Sequence, residues 1–183
     1  SIRPDRPRYT TDGVTVIIVL TPRQNIGSVF LEGNRALSKS DVLAVTKLEA
    51  GSEYWPERLE RAAEDVRTLY RRRGYADVSV RTEATVVDGV LVVGFVVDEG
   101  EPTRLRTVGF EGEPGISPRR LEETLGLSAG AVADLTFAEE GVERIRAVLR
   151  QEGLYRARVE APRLSDDGDL VVPIVSGPKY DVV

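Results

Sequence analysis

Cysteine, histidine and methionine are all missing from the 183 residues. Without cysteine there is no disulfide and no thiolate metal site, and cytosol and periplasm fit equally well. Without histidine the chain lacks the commonest general base and the commonest metal ligand. No apolar run approaches the ~18–20 residues of a membrane-spanning helix, and no signal peptide is visible. The longest runs, 14–20 and 90–97, have the length of strands. Cationic excess is absent too. The 25 basic residues against 30 acidic ones give a net charge of −5, which argues against a nucleic-acid binder and its cationic stripe. With no initial methionine, the chain reads as an excised piece of a longer protein.

Catalysis has little to stand on. No serine or threonine has a histidine partner, no carboxylates are spaced as a metal set, and the Glu-Gly pairs lack the longer glycine motif of a phosphate loop. The reading is of a non-enzyme with no cofactor.

What the chain does contain is a repeat. Residues 29–80 return at 108–159, a shift of 79 without a gap. Leu31/Phe110, Glu32/Glu111, Gly33/Gly112, Leu37/Ile116, Ser38/Ser117, Leu48/Leu127, Gly51/Gly130, Val66/Ile145, Gly74/Gly153 and Val80/Val159 fall in register. Each unit is small, so its core offsets chain entropy only modestly and packing against a neighbour matters.

Within the first copy a strand near 27–32 is expected to end in a Gly33-Asn34 turn. Ser38 precedes Asp41 at capping-box spacing, so a short helix should begin near Lys39 and run to about Lys47, with Leu48 and Gly51 ending it in the manner of a glycine cap. Pro56 is placed to open a second helix, with Leu59, Ala62, Ala63, Val66, Leu69 and Tyr70 on one apolar face. Arg71, Arg72 and Arg73 fill its last turn, where cations favour the negative helix end, and Gly74 stops it.

From Val78 the period becomes two. Val78, Val80, Thr82, Ala84 and Val86 should face the core, while Ser79, Arg81, Glu83 and Thr85 face water. Asp88-Gly89 is a hairpin turn into 90–97, which is apolar on both faces and therefore central in its sheet. The second copy repeats this order. Ser117-Pro118 starts its first helix, Thr136 and Glu139 have capping-box spacing for its second, and Asp167-Gly168 parallels Asp88-Gly89. Residues 1–25, with Asp12-Gly13 before an apolar run, read as the last strands of a preceding unit. Residues 178–183 read as the start of a following one.

A strand ending in Glu32-Gly33-Asn34, a helix pair, Tyr70 followed by Gly74-Tyr75 and a closing hairpin at Glu99-Gly100 together resemble POTRA domains. The second copy keeps Glu111-Gly112 and Gly153, with Glu113 in place of the asparagine and Leu154-Tyr155 in place of the tyrosine. The resemblance implies an α+β tandem of β-α-α-β-β units at 26–101 and 102–177, each a three-stranded mixed sheet with two helices on one face. It also implies the periplasmic arm of a BamA-like outer-membrane assembly factor. The membrane would be met only through a β-barrel outside this stretch, and the partners would be unfolded outer-membrane proteins and accessory lipoproteins. TamA-type and two-partner-secretion transporters carry similar arms, as do FtsQ-type division proteins in single copy. RNA-binding folds such as KH share the small βααββ order, but the Gly-x-x-Gly loop with basic flanks is missing.

For partner binding, the physical route is strand addition to an exposed sheet edge. The expected edge is Val78, Ser79, Val80, Arg81, Thr82, Glu83, Ala84, Thr85 and Val86. Its equivalent in the second copy, 156–164, contains Pro162, which lacks a donor and makes the poorer acceptor. Gly33, Asn34, Gly51, Gly74, Gly112, Gly130 and Gly153 are read as turn and helix-stop residues. Tyr70, Tyr75 and Tyr155 are expected to pack between helix and sheet with their hydroxyls at the rim. Trp55 is expected over the helix connection, and Arg71–Arg73 as a solvated terminus.

Overall fold

The computed structural model describes residues 8–10, 13–15 and 24–178. A short hairpin, β1 (Arg8–Thr10) and β2 (Gly13–Thr15), pairs antiparallel ahead of the two repeats. Residues 1–7, 11–12 and 16–23 of the expected preceding unit, and 179–183 of the expected following one, lie outside the described residues.

The first repeat runs β3 (Ile26–Glu32), α1 (Lys39–Thr46), α2 (Pro56–Arg72), β4 (Ser79–Val87) and β5 (Val90–Asp98). The sheet order is β3-β5-β4, with β3 parallel and β4 antiparallel to the central β5. The second repeat runs β6 (Thr107–Glu113), α3 (Pro118–Leu125), α4 (Leu135–Gln151), β7 (Arg158–Val159), β8 (Arg163–Leu164) and β9 (Asp169–Val175). There β9 is central, β6 lies parallel to it, and β7 and β8 share the antiparallel edge. The α+β tandem expected from the sequence is what the chain forms.

Local chemistry explains the helix starts. Ser38 and Ser117 each accept a backbone N–H, from Asp41 and Arg120, at the heads of α1 and α3. Pro56 opens α2 at a position where its missing donor costs nothing. Two expectations differ. Helix α4 is capped by Asp134, whose carboxylate accepts the Phe137 N–H at 2.8 Å, so Thr136 lies inside the helix. Asp134 has the same spacing to Phe137 that a capping serine would have, and it is the stronger acceptor. Helix α1 ends at Lys47 as expected, but Lys47 itself takes the left-handed cap conformation (φ 51°) and Gly51 lies further along in the loop; the second copy places Gly126 at the matching position.

Each repeat has its own core. In the first, Leu59, Ala62, Ala63, Val66 and Tyr70 of α2 pack on Leu31, Val80, Val93, Phe95 and Val97. Ile145 and Leu149 do the same on Leu170, Val172 and Ile174 in the second. On the opposite face of the first sheet, Phe30 lies over Gly94, where an added Cβ would sit 2.3 Å from the ring.

The shift of 79 does not survive the hairpin. Val80 pairs with Val97, and its counterpart Val159 pairs with Ile174, so the second hairpin is two residues shorter. Asp167-Gly168 still keeps the shift of 79 from Asp88-Gly89, so the two residues are lost in the strand after the turn, and the Glu99-Gly100 position is taken by Ser176-Gly177. Both Gly100 and Gly177 stand over the same part of the fold: a Cβ added at either would lie 3.4 Å from the Cβ of Asp77 or of Arg156.

Candidate functional site

The edge is built by the turn that precedes β5. Asp88 and Gly89 both adopt positive φ (51° and 81°), as a two-residue hairpin turn requires, and Val87 lies opposite Val90. That closing pair is hydrogen-bonded, and alternation along an antiparallel ladder then turns the backbone groups of residues 79, 81, 83 and 85 inward to β5. The N–H and C=O groups of Val78, Val80, Thr82, Ala84 and Val86 face outward. The second copy agrees: Glu160 donates inward to Pro173 at 3.0 Å, which leaves its neighbour Val159 facing out.

The strand is longer than the layer that covers it. Val78 and Val80 are buried, and Thr82 is half-buried with its hydroxyl donating to Glu60 at 2.6 Å. Ala84 and Val86 are exposed, the latter at 54 %, although they share the face of Val80. This corrects the expectation that all five even positions line the core. The cause is geometric: α2 runs back along β4 and starts at Pro56, only one turn before Glu60, so residues 83–90 project past the helix. Val87 (51 % exposed) and Val90 (48 %) complete an apolar hairpin tip. Ser79, Arg81, Glu83 and Thr85 are exposed on the other face.

The outward groups are not uniformly free. Arg67 donates through Nη2 to the Val80 carbonyl at 2.7 Å while its Nη1 is held by Glu64 at 2.9 Å. Arg146 repeats this on the Val159 carbonyl at 2.5 Å, held by Glu143. Both residues of each pair recur at the shift of 79, a signal present in the sequence that the apolar pattern hid. In the second copy, residues 156–164 form only β7 and β8, separated across Pro162.

The motif residues sit behind this edge. Gly33 has φ +84°, and a Cβ there would lie 1.9 Å from the Val97 carbonyl oxygen; Gly112 repeats this against Ile174. The Asn34 side chain donates to the Leu37 carbonyl at 3.0 Å. Gly51, Gly130 and Gly153 all lie at positive φ. Tyr70 is fully buried rather than at the rim, and its hydroxyl donates to Glu99 at 3.0 Å. The same Glu99 oxygen accepts the Arg35 and Ala36 N–H groups at 2.8 and 2.9 Å, tying helix α2 and the end of β5 to the loop after β3. Burial, then the carboxylate, push the Tyr70 hydroxyl well above the usual phenol range. In the second copy Leu149 and Ser176 stand at these positions, so the pair is replaced together. Tyr75 packs edge-on to Tyr70 at 5.9 Å between ring centres. Tyr155 is 54 % exposed and does not pack between helix and sheet, unlike its expectation. Trp55 immediately precedes α2 and is 37 % exposed.

A joint links the two repeats. The end of α2 meets the start of α4: Arg72 pairs with Glu139 at 2.6 Å and Arg73 with the capping Asp134 at 3.3 Å. Thr103 donates to the Gly74 carbonyl at 2.7 Å and accepts from Ala133 at 2.9 Å. Gly74 has φ +89°, and a Cβ there would come within 2.7 Å of Val132 and 3.2 Å of the Ala133 backbone. Arg72 and Arg73 are therefore joint residues, not a purely solvated terminus.

Among the described residues no acidic group could hold a metal ion, and no helix is long and apolar enough to cross a membrane. The outer membrane protein assembly factor BamA of Nitratidesulfovibrio vulgaris is 25 % identical over 184 residues, covering 92 % of this chain and 23 % of that protein. A relative from Treponema pallidum is 26 % identical over 162 residues, covering 86 % of this chain and 19 % of that protein. The chain thus spans about a quarter or less of these relatives' length. The N-terminal domain of Omp85 from Thermosynechococcus elongatus shares the fold, with a TM-score of 0.51, 21 % identity, and coverage of 86 % of this chain and 64 % of that one. The family model for POTRA, described as surface antigen variable number repeat, matches residues 24–100 and again 103–177. With two full matches on the two repeats that the geometry defines, this chain belongs to the POTRA family.

Proposed function

We propose that this chain is a pair of POTRA domains, at 26–101 and 102–177, in the periplasmic arm of an outer-membrane protein assembly factor. It acts as a non-catalytic scaffold that receives extended segments of unfolded outer-membrane proteins and docks accessory lipoproteins. The observation that carries the binding role is the overhanging half of β4. It combines outward backbone groups at Thr82, Ala84 and Val86 with the exposed apolar side chains of Val86, Val87 and Val90. An extended polypeptide can satisfy those backbone groups by strand addition, with side chains of alternate residues meeting the apolar tip. Edge strands of this kind are otherwise an aggregation liability, which soluble proteins cover or charge. The matching edge of the second copy is broken by Pro162, so the first copy is the acceptor.

The experiment places a photo-crosslinking residue at Thr85 or at Arg163 and offers an unfolded outer-membrane barrel protein. Crosslinks from position 85 that exceed those from 163 are expected; equal yield from both would refute the assignment. The family likeness is shared by transport and division proteins, and an arm without an unfolded client would give crosslinks at neither position.

A further inference from the structure

The two arginines on the edge carbonyls have no role in the cores, and their placement bears on how much of the edge is usable. Arg67 lies on α2, beside the sheet edge, with about a quarter of its side chain exposed. Its guanidinium occupies the direction from which a partner strand would bring an N–H to the Val80 oxygen. Glu64, one turn earlier, accepts from Nη1, so the fork is held at both ends rather than swinging in solvent. The same arginine, carboxylate and carbonyl recur in the second repeat as Arg146, Glu143 and Val159. A guanidinium offers donors in a rigid planar fork and accepts nothing, so it satisfies an edge carbonyl and leaves no group for a further strand to pair with.

We propose that Arg67 and Arg146 are edge guards that set the length and register of strand addition. This rests on strand addition as the binding mode and adds its limit. The first repeat then offers only residues 82–86, roughly 13 Å of strand at about 3.3 Å per residue, enough for three outward-facing positions. In the second repeat the guard covers the near part and Pro162 interrupts the far part, so no continuous length stays open. The kind of partner that fits is a short extended segment, four to six residues long, whose apolar side chains reach the Val86–Val87–Val90 tip. A long preformed sheet edge would collide with Arg67. The guard is thereby also a filter against edge-to-edge pairing with a second copy of the chain.

The test uses the described tandem and a decapeptide of alternating valine and threonine, followed by amide hydrogen exchange resolved to single residues. In the unaltered chain the peptide should slow exchange at Thr82, Ala84 and Val86 and leave Val78 and Val80 unchanged. Arg67→Met keeps an apolar stem against the sheet but cannot donate. In that variant protection should spread to Val80 and Val78, with affinity rising about tenfold, the worth of one or two added backbone hydrogen bonds. Arg146→Met should gain no binding, because Pro162 still interrupts its edge. Protection of Val80 in the unaltered chain would overturn the guard while leaving strand addition standing. Protection confined to β3, or no protection anywhere, would refute strand addition at β4. In that event the guard is decided by sedimentation of the Arg67→Met variant: concentration-dependent dimerisation that the unaltered chain lacks supports it, and an unchanged monomer overturns it.

Discussion

Replacing Tyr70 by phenylalanine removes one oxygen from the interior and nothing else. The ring keeps its place among the core residues and its edge-on contact with Tyr75, so no cavity opens. What is lost is a hydrogen bond from a buried hydroxyl to a charged acceptor, worth about 1.5–3 kcal/mol. Glu99 retains the Arg35 and Ala36 N–H groups, which places the expected loss near the lower figure, about 1.5–2 kcal/mol. Trp55, the only tryptophan, precedes α2 in the same repeat, so its fluorescence reports the unfolding of the affected unit. With a urea slope of about 2 kcal/mol per molar, the midpoint should fall by about 0.8–1 M. The pH dependence gives a second check. Because the folded hydroxyl is held above its unfolded value, its stabilisation is complete below about pH 10 and declines as pH rises further. The decline is about 1.4 kcal/mol per pH unit, so the difference between the two proteins should close between about pH 11 and 12. The phenylalanine variant has no such hydroxyl to ionise. A midpoint within 0.2 M of the unaltered protein (roughly the reproducibility of such a transition), or a difference that stays constant to pH 11.5, would refute the account of Tyr70 and Glu99 as a coupled pair.

Lys47→Gly should stabilise the first repeat by a few tenths to about 1 kcal/mol in the same denaturation, because glycine takes the left-handed conformation without strain, as Gly126 already does. Asp169 is held at about pH 2 by Arg106 and then by the Thr107 hydroxyl. Its contribution should be present above its unfolded value near 4 and be lost as pH falls toward 2, and an acid titration of Asp169→Asn should lack that component. Gly74→Ala forces a side chain into a positive-φ position facing Val132 and the Ala133 backbone. Destabilisation of about 2 kcal/mol is expected, with weakened protection of the Thr103 and Ala133 amides in hydrogen exchange; unaltered protection there would refute the joint.

Much of the architecture was legible because it rests on local rules. Ser38, Pro56 and Ser117 announce helices through backbone donors that need partners, and Asp88-Gly89 announces a turn through φ. Features decided across the chain were less visible. Thr136 and Glu139 have capping spacing, yet Asp134 two residues earlier also serves Arg73 from the other repeat, and that second contact has no trace in local sequence. Even spacing at Ala84 and Val86 says which face a side chain takes, not whether a helix extends far enough to cover it. The Tyr70–Glu99 pair spans 29 residues and is apparent only when the second copy, with Leu149 and Ser176, is laid over the first in the correct two-residue offset. The edge itself could be inferred from period-two patterning. Its partial occupation could not, since an arginine on a helix face ordinarily reads as solvated.

The joint between the repeats also sets an order of events. Asp134 caps the first turn of α4 while it receives Arg73, and Thr103 bridges the Gly74 carbonyl to Ala133. During synthesis the first repeat emerges ahead of the second. By the time Thr103 and Asp134 leave the ribosome, the Gly74 carbonyl and the Arg73 guanidinium are already in place to receive them. The second unit then nucleates against a finished surface, with one end of its longest helix pre-positioned, so the same segment should refold more slowly alone than at the end of the tandem. The contact works as a template in time as well as a joint in space.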